Sequence, residues 1–155
     1  SQNSVAHNIT SAWVCELLDY FLEHPGDVVP FAQHYAKVVN YIDETKLEDY
    51  SKRLFDLCYA DNVDPNQMEA FSLIVSAFFK KLDPAKQEKF YRLILGTAIR
   101  DEHVALNELV TQLTPHLDST IKVRLKNYAQ RLQSNLNGIP SQLTYDETSS
   151  FCLIL

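Results

Sequence analysis

The sequence predicts an all-α fold, and three observations carry that expectation. Apolar residues recur at helical intervals almost without a break as far as residue 136. Only three glycines and six prolines punctuate 155 residues, too few for the many turns of an all-β chain. Two prolines follow aspartates, in Asp64-Pro65 and Asp83-Pro84. An acidic cap ahead of a proline is a helix start, because the first helical position has no use for the missing N–H. The expected architecture is a compact bundle of about seven helices over residues 1–138. An irregular α-solenoid is the alternative, although no fixed-period repeat emerges when the chain is compared with itself.

From about Thr10 to His24, Trp13, Leu17, Tyr20 and Phe21 share one face and Val14, Leu18 and Leu22 the next, a broad apolar stripe that Pro25-Gly26 ends. Pro30 opens a second segment in which Phe31, Tyr35, Val38 and Ile42 recur. Thr45-Lys46-Leu47-Glu48 has capping-box spacing and predicts a third helix to about Ala60, with Leu47, Tyr50, Leu54, Leu57 and Cys58 inward. The fourth helix, Met68 to Leu82, is apolar nearly all round and belongs at the centre. The fifth carries Phe90, Tyr91, Ile94, Leu95, Ala98 and Ile99, with Gly96 its weak point, and Arg100-Asp101-Glu102 breaks it from a sixth holding Leu106, Leu109, Val110 and Leu113. Thr114-Pro115 is read as opening the last helix, whose stripe of Ile121, Leu125, Tyr128, Leu132 and Leu136 ends at Asn137-Gly138, a pair suited to a left-handed cap.

Net charge is −6 and unevenly spread. Residues 1–66 hold eleven acids and four bases, residues 80–100 six bases and two acids, and residues 119–145 four bases and no acid. This balance argues against general nucleic-acid binding, which needs a broad basic face to neutralise phosphates. Cys15, Cys58 and Cys152 are an odd number at wide spacing, read as reduced thiols of a cytoplasmic protein. The first residues lack the charged and apolar regions of a secretory leader, and no apolar run reaches membrane-spanning length.

Chemistry-bearing patterns are sparse, and no catalytic or metal site is expected. His7, His24, His34, His103 and His116 are scattered, with none in the H-E-x-x-H relation that puts two ligands on one helical face. The stretch from Asp61 to Ser72 departs from a calcium loop at Val63, Pro65 and Gln67. Gly26, Gly96 and Gly138 cannot build a phosphate-binding loop. These absences point away from an enzyme.

Beyond Gly138 the composition turns polar and loses periodicity, so residues 139–151 read as a flexible tether. The tether leads to Cys152-Leu153-Ile154-Leu155. These four residues resemble the CaaX box of prenylated proteins, whose leucine-terminated variant receives a geranylgeranyl group. The resemblance implies a prenyltransferase as one partner, a thioether-linked isoprenoid on Cys152, and removal of Leu153, Ile154 and Leu155. It also implies no cofactor beyond that covalent lipid. One prenyl chain anchors weakly without a second signal. Lys122 and Lys126 flank the last helix's apolar stripe on one side and Arg124 and Arg131 on the other, which makes them the candidate membrane-facing bases.

The expected function is that of a helical protein-interaction module, peripheral on the cytosolic face of a membrane and binding a protein partner not identifiable from sequence. Because prenylation is a eukaryotic cytosolic modification, a bacterial effector lipidated inside a host cell is one form of this reading. The alternative is a soluble helical adaptor whose apolar tail packs on its own domain or on a partner.

Overall fold

The computed structural model describes residues 2–60, 63–101, 103 and 105–137. Among these residues are eight α-helices: α1 (Gln2–Glu23), α2 (Pro25–Val28), α3 (Ala32–Val38), α4 (Glu44–Tyr59), α5 (Pro65–Lys81), α6 (Pro84–Arg100), α7 (Leu106–Leu113) and α8 (Ser119–Asn137). Short 3-10 turns lie at Val29–Phe31, Val39–Tyr41 and Thr114–His116. The fold is all-α, as the periodicity predicts. The eighth helix is the single turn α2, since the proline that stops α1 is itself a good first helical residue. Gly138, the tether over 139–151 and the motif over 152–155 lie outside the described residues, as do Asp61 and Glu102.

Aspartate carboxylates set four of the eight helix starts. Asp64 accepts the Gln67 N–H at 2.8 Å, and the Gln67 side chain returns a bond from the Asp64 N–H at 3.2 Å, so two amides with no partner inside the helix are satisfied together. Asp83 accepts the Lys86 N–H at 2.8 Å. The cap of α4 is Asp43 rather than Thr45: its Oδ1 accepts from both the Thr45 amide (2.9 Å) and the Thr45 hydroxyl (2.8 Å). A carboxylate two residues earlier is the stronger acceptor, and the threonine becomes its donor. The start of α8 is likewise displaced from the expected Thr114-Pro115. Those residues form a 3-10 turn, Leu117 is extended and buried, and Asp118 accepts the Thr120 N–H at 2.8 Å to open the helix.

The chain divides into two compact units, Ser1–Leu82 and Asp83–Leu155, each with its own core. In the first, α5 is the hub: α3 and α4 pack against it most extensively. It buries Met68, Phe71, Ile74, Val75, Phe78 and Phe79, and its breadth of apolar surface is what lets it serve neighbours on more than one side. Phe71 meets Phe21 of α1 edge-on, with ring centroids 5.6 Å apart. Lys81 closes the last turn of α5 by donating to the carbonyls of Asn40 (2.9 Å) and Val39 (3.3 Å).

In the second unit α6 takes the central role, flanked by α7 and α8. Tyr91, Ile94, Leu95, Ala98 and Ile99 face Leu106, Leu109, Val110 and Leu113 of α7 and Ile121, Leu125 and Ala129 of α8 in burial. The Tyr91 hydroxyl meets Thr114 Oγ1 at 2.8 Å, and Thr114 donates its own proton to the Val110 carbonyl at 2.6 Å. That carbonyl can only accept, so Tyr91 is the donor of the pair. Gly96 is a close-approach position: a Cβ there would lie 2.9 Å from the Tyr128 hydroxyl of α8 and 2.9 Å from the Arg100 guanidinium.

Candidate functional site

Helix α1 presents two apolar faces with opposite fates. Val14, Leu18 and Phe21 are buried in the first unit, whereas Trp13, Leu17 and Tyr20, at the i, i+4, i+7 spacing of a single stripe, are 64%, 40% and 48% exposed. Pro25 ends α1, and the short α2 and the following 3-10 turn bring Phe31 out to 55% exposure at the head of α3. Between these elements runs a groove of about 510 Å³ lined by Leu17, Tyr20, Asp27, Phe31, His34, Tyr35 and Val38.

The walls are held from within. The Tyr20 ring stacks on His24 with centroids 4.5 Å apart, and His24 Nδ1 lies 3.3 Å from the Tyr20 carbonyl, so the tyrosine is braced by the residue that links α1 to α2. Tyr35 is half-buried and leans on Phe21 at 5.7 Å. Burial, with Tyr20 beside it, pushes its hydroxyl above the usual phenol range, which keeps it a neutral donor. Glu16 and Glu23 are exposed and seven residues apart, in one row beside the Trp13-Leu17-Tyr20 stripe, while Asp27 lines the groove itself. Lys37 is the one Lys or Arg on α3, and it is exposed. The result is an apolar, largely aromatic trough with an acidic rim. Its chemistry is that of a grip: wide contact surfaces and negative charge, with the carboxylate of Asp27, the imidazole of His34 and the hydroxyls of Tyr20 and Tyr35 as its polar groups.

Sequence reasoning placed Trp13, Leu17 and Tyr20 together with the core residues of the same helix. The available signal was width. The apolar residues of α1 span more of the wheel than one core-facing stripe uses, so part of that surface has to face outward.

The bases singled out on α8 are held differently from one another. The Arg124 guanidinium engages Glu88 of α6 through Nε at 3.0 Å and Nη2 at 2.8 Å, a bidentate pair that holds the Glu88 carboxyl below its usual range. Glu88 also faces Arg92 at 3.6 Å, and Arg92 lies 5.1 Å above the Tyr128 ring. Lys126 and Arg131 are exposed, and Lys122 is half-buried. Cys152, Leu153, Ile154 and Leu155 lie outside the described residues. Cys58 is fully buried in an apolar site that pushes its thiol up to about 12, and Cys15 is half-buried.

Among the described residues no cluster of three or more His, Cys, Asp or Glu side chains is placed to hold a metal ion, and no helix is long and apolar enough to cross a membrane. No known protein family, curated protein or solved structure matches the chain.

Proposed function

We propose that this chain is a helical protein-interaction module that works by binding rather than catalysis, and that a geranylgeranyl group on Cys152 holds it at the cytosolic face of a membrane. The observation that carries the binding half is the exposed set Leu17, Tyr20 and Phe31 around one groove, with the exposed Trp13 one turn before Leu17 on the same stripe of α1. Isolated apolar residues are ordinary on a protein surface, but large aromatic side chains gathered around a concavity are the composition of interface cores. The anchoring half rests on Cys152-Leu153-Ile154-Leu155 and on their resemblance to a prenylation motif. Lys126 and Arg131 are exposed bases that would add attraction to an anionic leaflet, each worth about 1 kcal/mol near the surface. Such a module is useful to a cell, or to a bacterium acting inside one, because it fixes the position of whatever it grips.

Anchoring is tested by expressing the natural full-length gene in a eukaryotic cytosol supplied with a labelled isoprenoid. The expected result is label on the wild type, none on Cys152→Ser, and loss of the protein from the membrane fraction in that variant. An unlabelled wild type, or a gene that continues past Leu155, overturns the anchoring half and favours a soluble adaptor.

A further inference from the structure

Resting on the reading of this chain as a binding module, we propose that the groove of the first unit takes an amphipathic, basic helix: a partner segment with large apolar residues on one face and Lys or Arg on its flanks. Three features of the groove select that occupant.

The first is shape. The groove's wall on the α3 side runs from Phe31 to Val38, about 10 Å at a helical rise of roughly 1.5 Å per residue, and its wall on α1 is Leu17 and Tyr20, with the exposed Trp13 one turn further along the same stripe. That length matches the i, i+4, i+7 anchors of two turns of helix laid between them. A compact ligand confined to the groove would leave Trp13, which lies beyond the lining residues, uncovered.

The second is chemistry of the floor and walls. Leu17, Phe31, Tyr35 and Val38 offer apolar contact, and Tyr20 offers a rigid ring with few torsions to freeze. Leu, Met or aromatic knobs fill such a trough, whereas a polar strand would leave its own backbone amides unpartnered there.

The third is charge. Glu16 and Glu23 stand along one edge and Asp27 within the groove, against Lys37 on the other side. The same imbalance extends through residues 1–66, with eleven acids and four bases. An acidic partner or an anionic bilayer is repelled at this face, while flanking Lys or Arg side chains are drawn in and fix the orientation of the bound helix. The groove and the candidate bases of α8 therefore offer opposite signs, which suits one surface for a basic partner and another for an anionic membrane.

The test uses the full chain carrying Cys152→Ser, so that lipid plays no part. Trp13 is the one tryptophan, and it reports on this face directly. The probes are a synthetic peptide of about eighteen residues with leucines on one face and lysines on the other, the same peptide with glutamates for lysines, and vesicles of phosphatidylcholine with phosphatidylserine. The lysine peptide is expected to shift Trp13 emission to shorter wavelength and to saturate. Phe31→Ala should weaken it about fivefold or more, as truncation of an interface anchor does. Asp27→Lys should weaken it further at low salt than at high salt. Phe31 is exposed, so unchanged helical circular dichroism is expected of its variant. Equal binding of the glutamate peptide, binding of the lysine peptide that ignores Phe31→Ala, a response to the vesicles instead, or no response to any probe overturns the proposal. Isoprenoid labelling of the wild type is a separate readout: if label is found and the peptide fails, the groove's occupant is wrong and the anchoring stands, and the reverse pair of results sinks the anchoring alone.

Discussion

Replacing Gly96 with alanine sets two physical effects against each other at one position. Alanine inside an exposed helix is worth about 1 kcal/mol over glycine, so on propensity alone the substitution stabilises α6. The new methyl, however, would sit 2.9 Å from the Tyr128 hydroxyl and 2.9 Å from the Arg100 guanidinium. Arg100 is an exposed, flexible side chain and moves aside at small cost, losing its Nε bond to the Gly96 carbonyl at 3.2 Å. Tyr128 has less freedom, since its ring lies under Arg92 at 5.1 Å and its helix is packed along α6 through Ile121, Leu125 and Ala129. Opening the contact by about half an ångström is an overpacking strain of roughly 1–3 kcal/mol. Gly96→Ala alone is therefore expected to be neutral or destabilising by up to about 2 kcal/mol. In a Tyr128→Phe background, where the obstructing oxygen is gone, the same change should stabilise by about 1 kcal/mol. Urea unfolding of the four proteins in the cycle, read as midpoints at unchanged slope, measures the coupling. If Gly96→Ala stabilises equally in both backgrounds, the close approach of α6 and α8 is not what selects glycine there.

Two further outcomes follow from groups with displaced titration. Arg124 lowers the Glu88 carboxyl below its ordinary value near 4.5, so the pair's contribution is complete above that value and disappears as pH falls through the lower folded value. The stability gap between wild type and Glu88→Gln, measured by urea midpoint, should therefore be present at pH 7 and close in the acid range; a gap constant with pH refutes the pairing. Burial keeps the Cys58 thiol protonated, with its titration pushed up to about 12, while Cys15 is half-buried. In Cys152→Ser protein at pH 8, an aromatic disulfide reagent should take Cys15 promptly and Cys58 only after denaturant is added. Two thiols reacting at one rate in the native protein would contradict that placement.

How far the sequence could be read depended on whether a signal was local. The starts of α5 and α6 were legible because Asp64-Pro65 and Asp83-Pro84 contain their own acceptor and their own torsional constraint. The central position of α5 was legible because a helix without a polar face has to be enclosed. The start of α4 was displaced because Thr45 has capping geometry on paper but a stronger acceptor, Asp43, two residues upstream. The start of α8 was displaced because Pro115 is equally at home in the 3-10 turn that precedes it. Gly96 read as a flaw because the neighbour that makes it necessary, Tyr128, is thirty-two residues away in sequence. The groove was hidden for the same reason: Leu17 and Phe31 look like core residues until the helices that cover Val14 and Phe21 are seen to leave them outside.

The two aspartyl-prolyl caps have a consequence in covalent chemistry. In hot dilute acid the side-chain carboxyl of an aspartate attacks its own peptide carbonyl, and a prolyl nitrogen is the most basic leaving group the backbone can offer, so these bonds break before others. One of them, Asp83-Pro84, is one residue past Leu82, where the first compact unit gives way to the second. The folded chain keeps both carboxylates occupied with amides of the following turn, which shields the bonds while the helices stand. A denatured sample scissioned in formic acid would thus part at the seam between the units and at Asp64-Pro65, and the resulting masses would be a fingerprint of the chain that owes nothing to any protease.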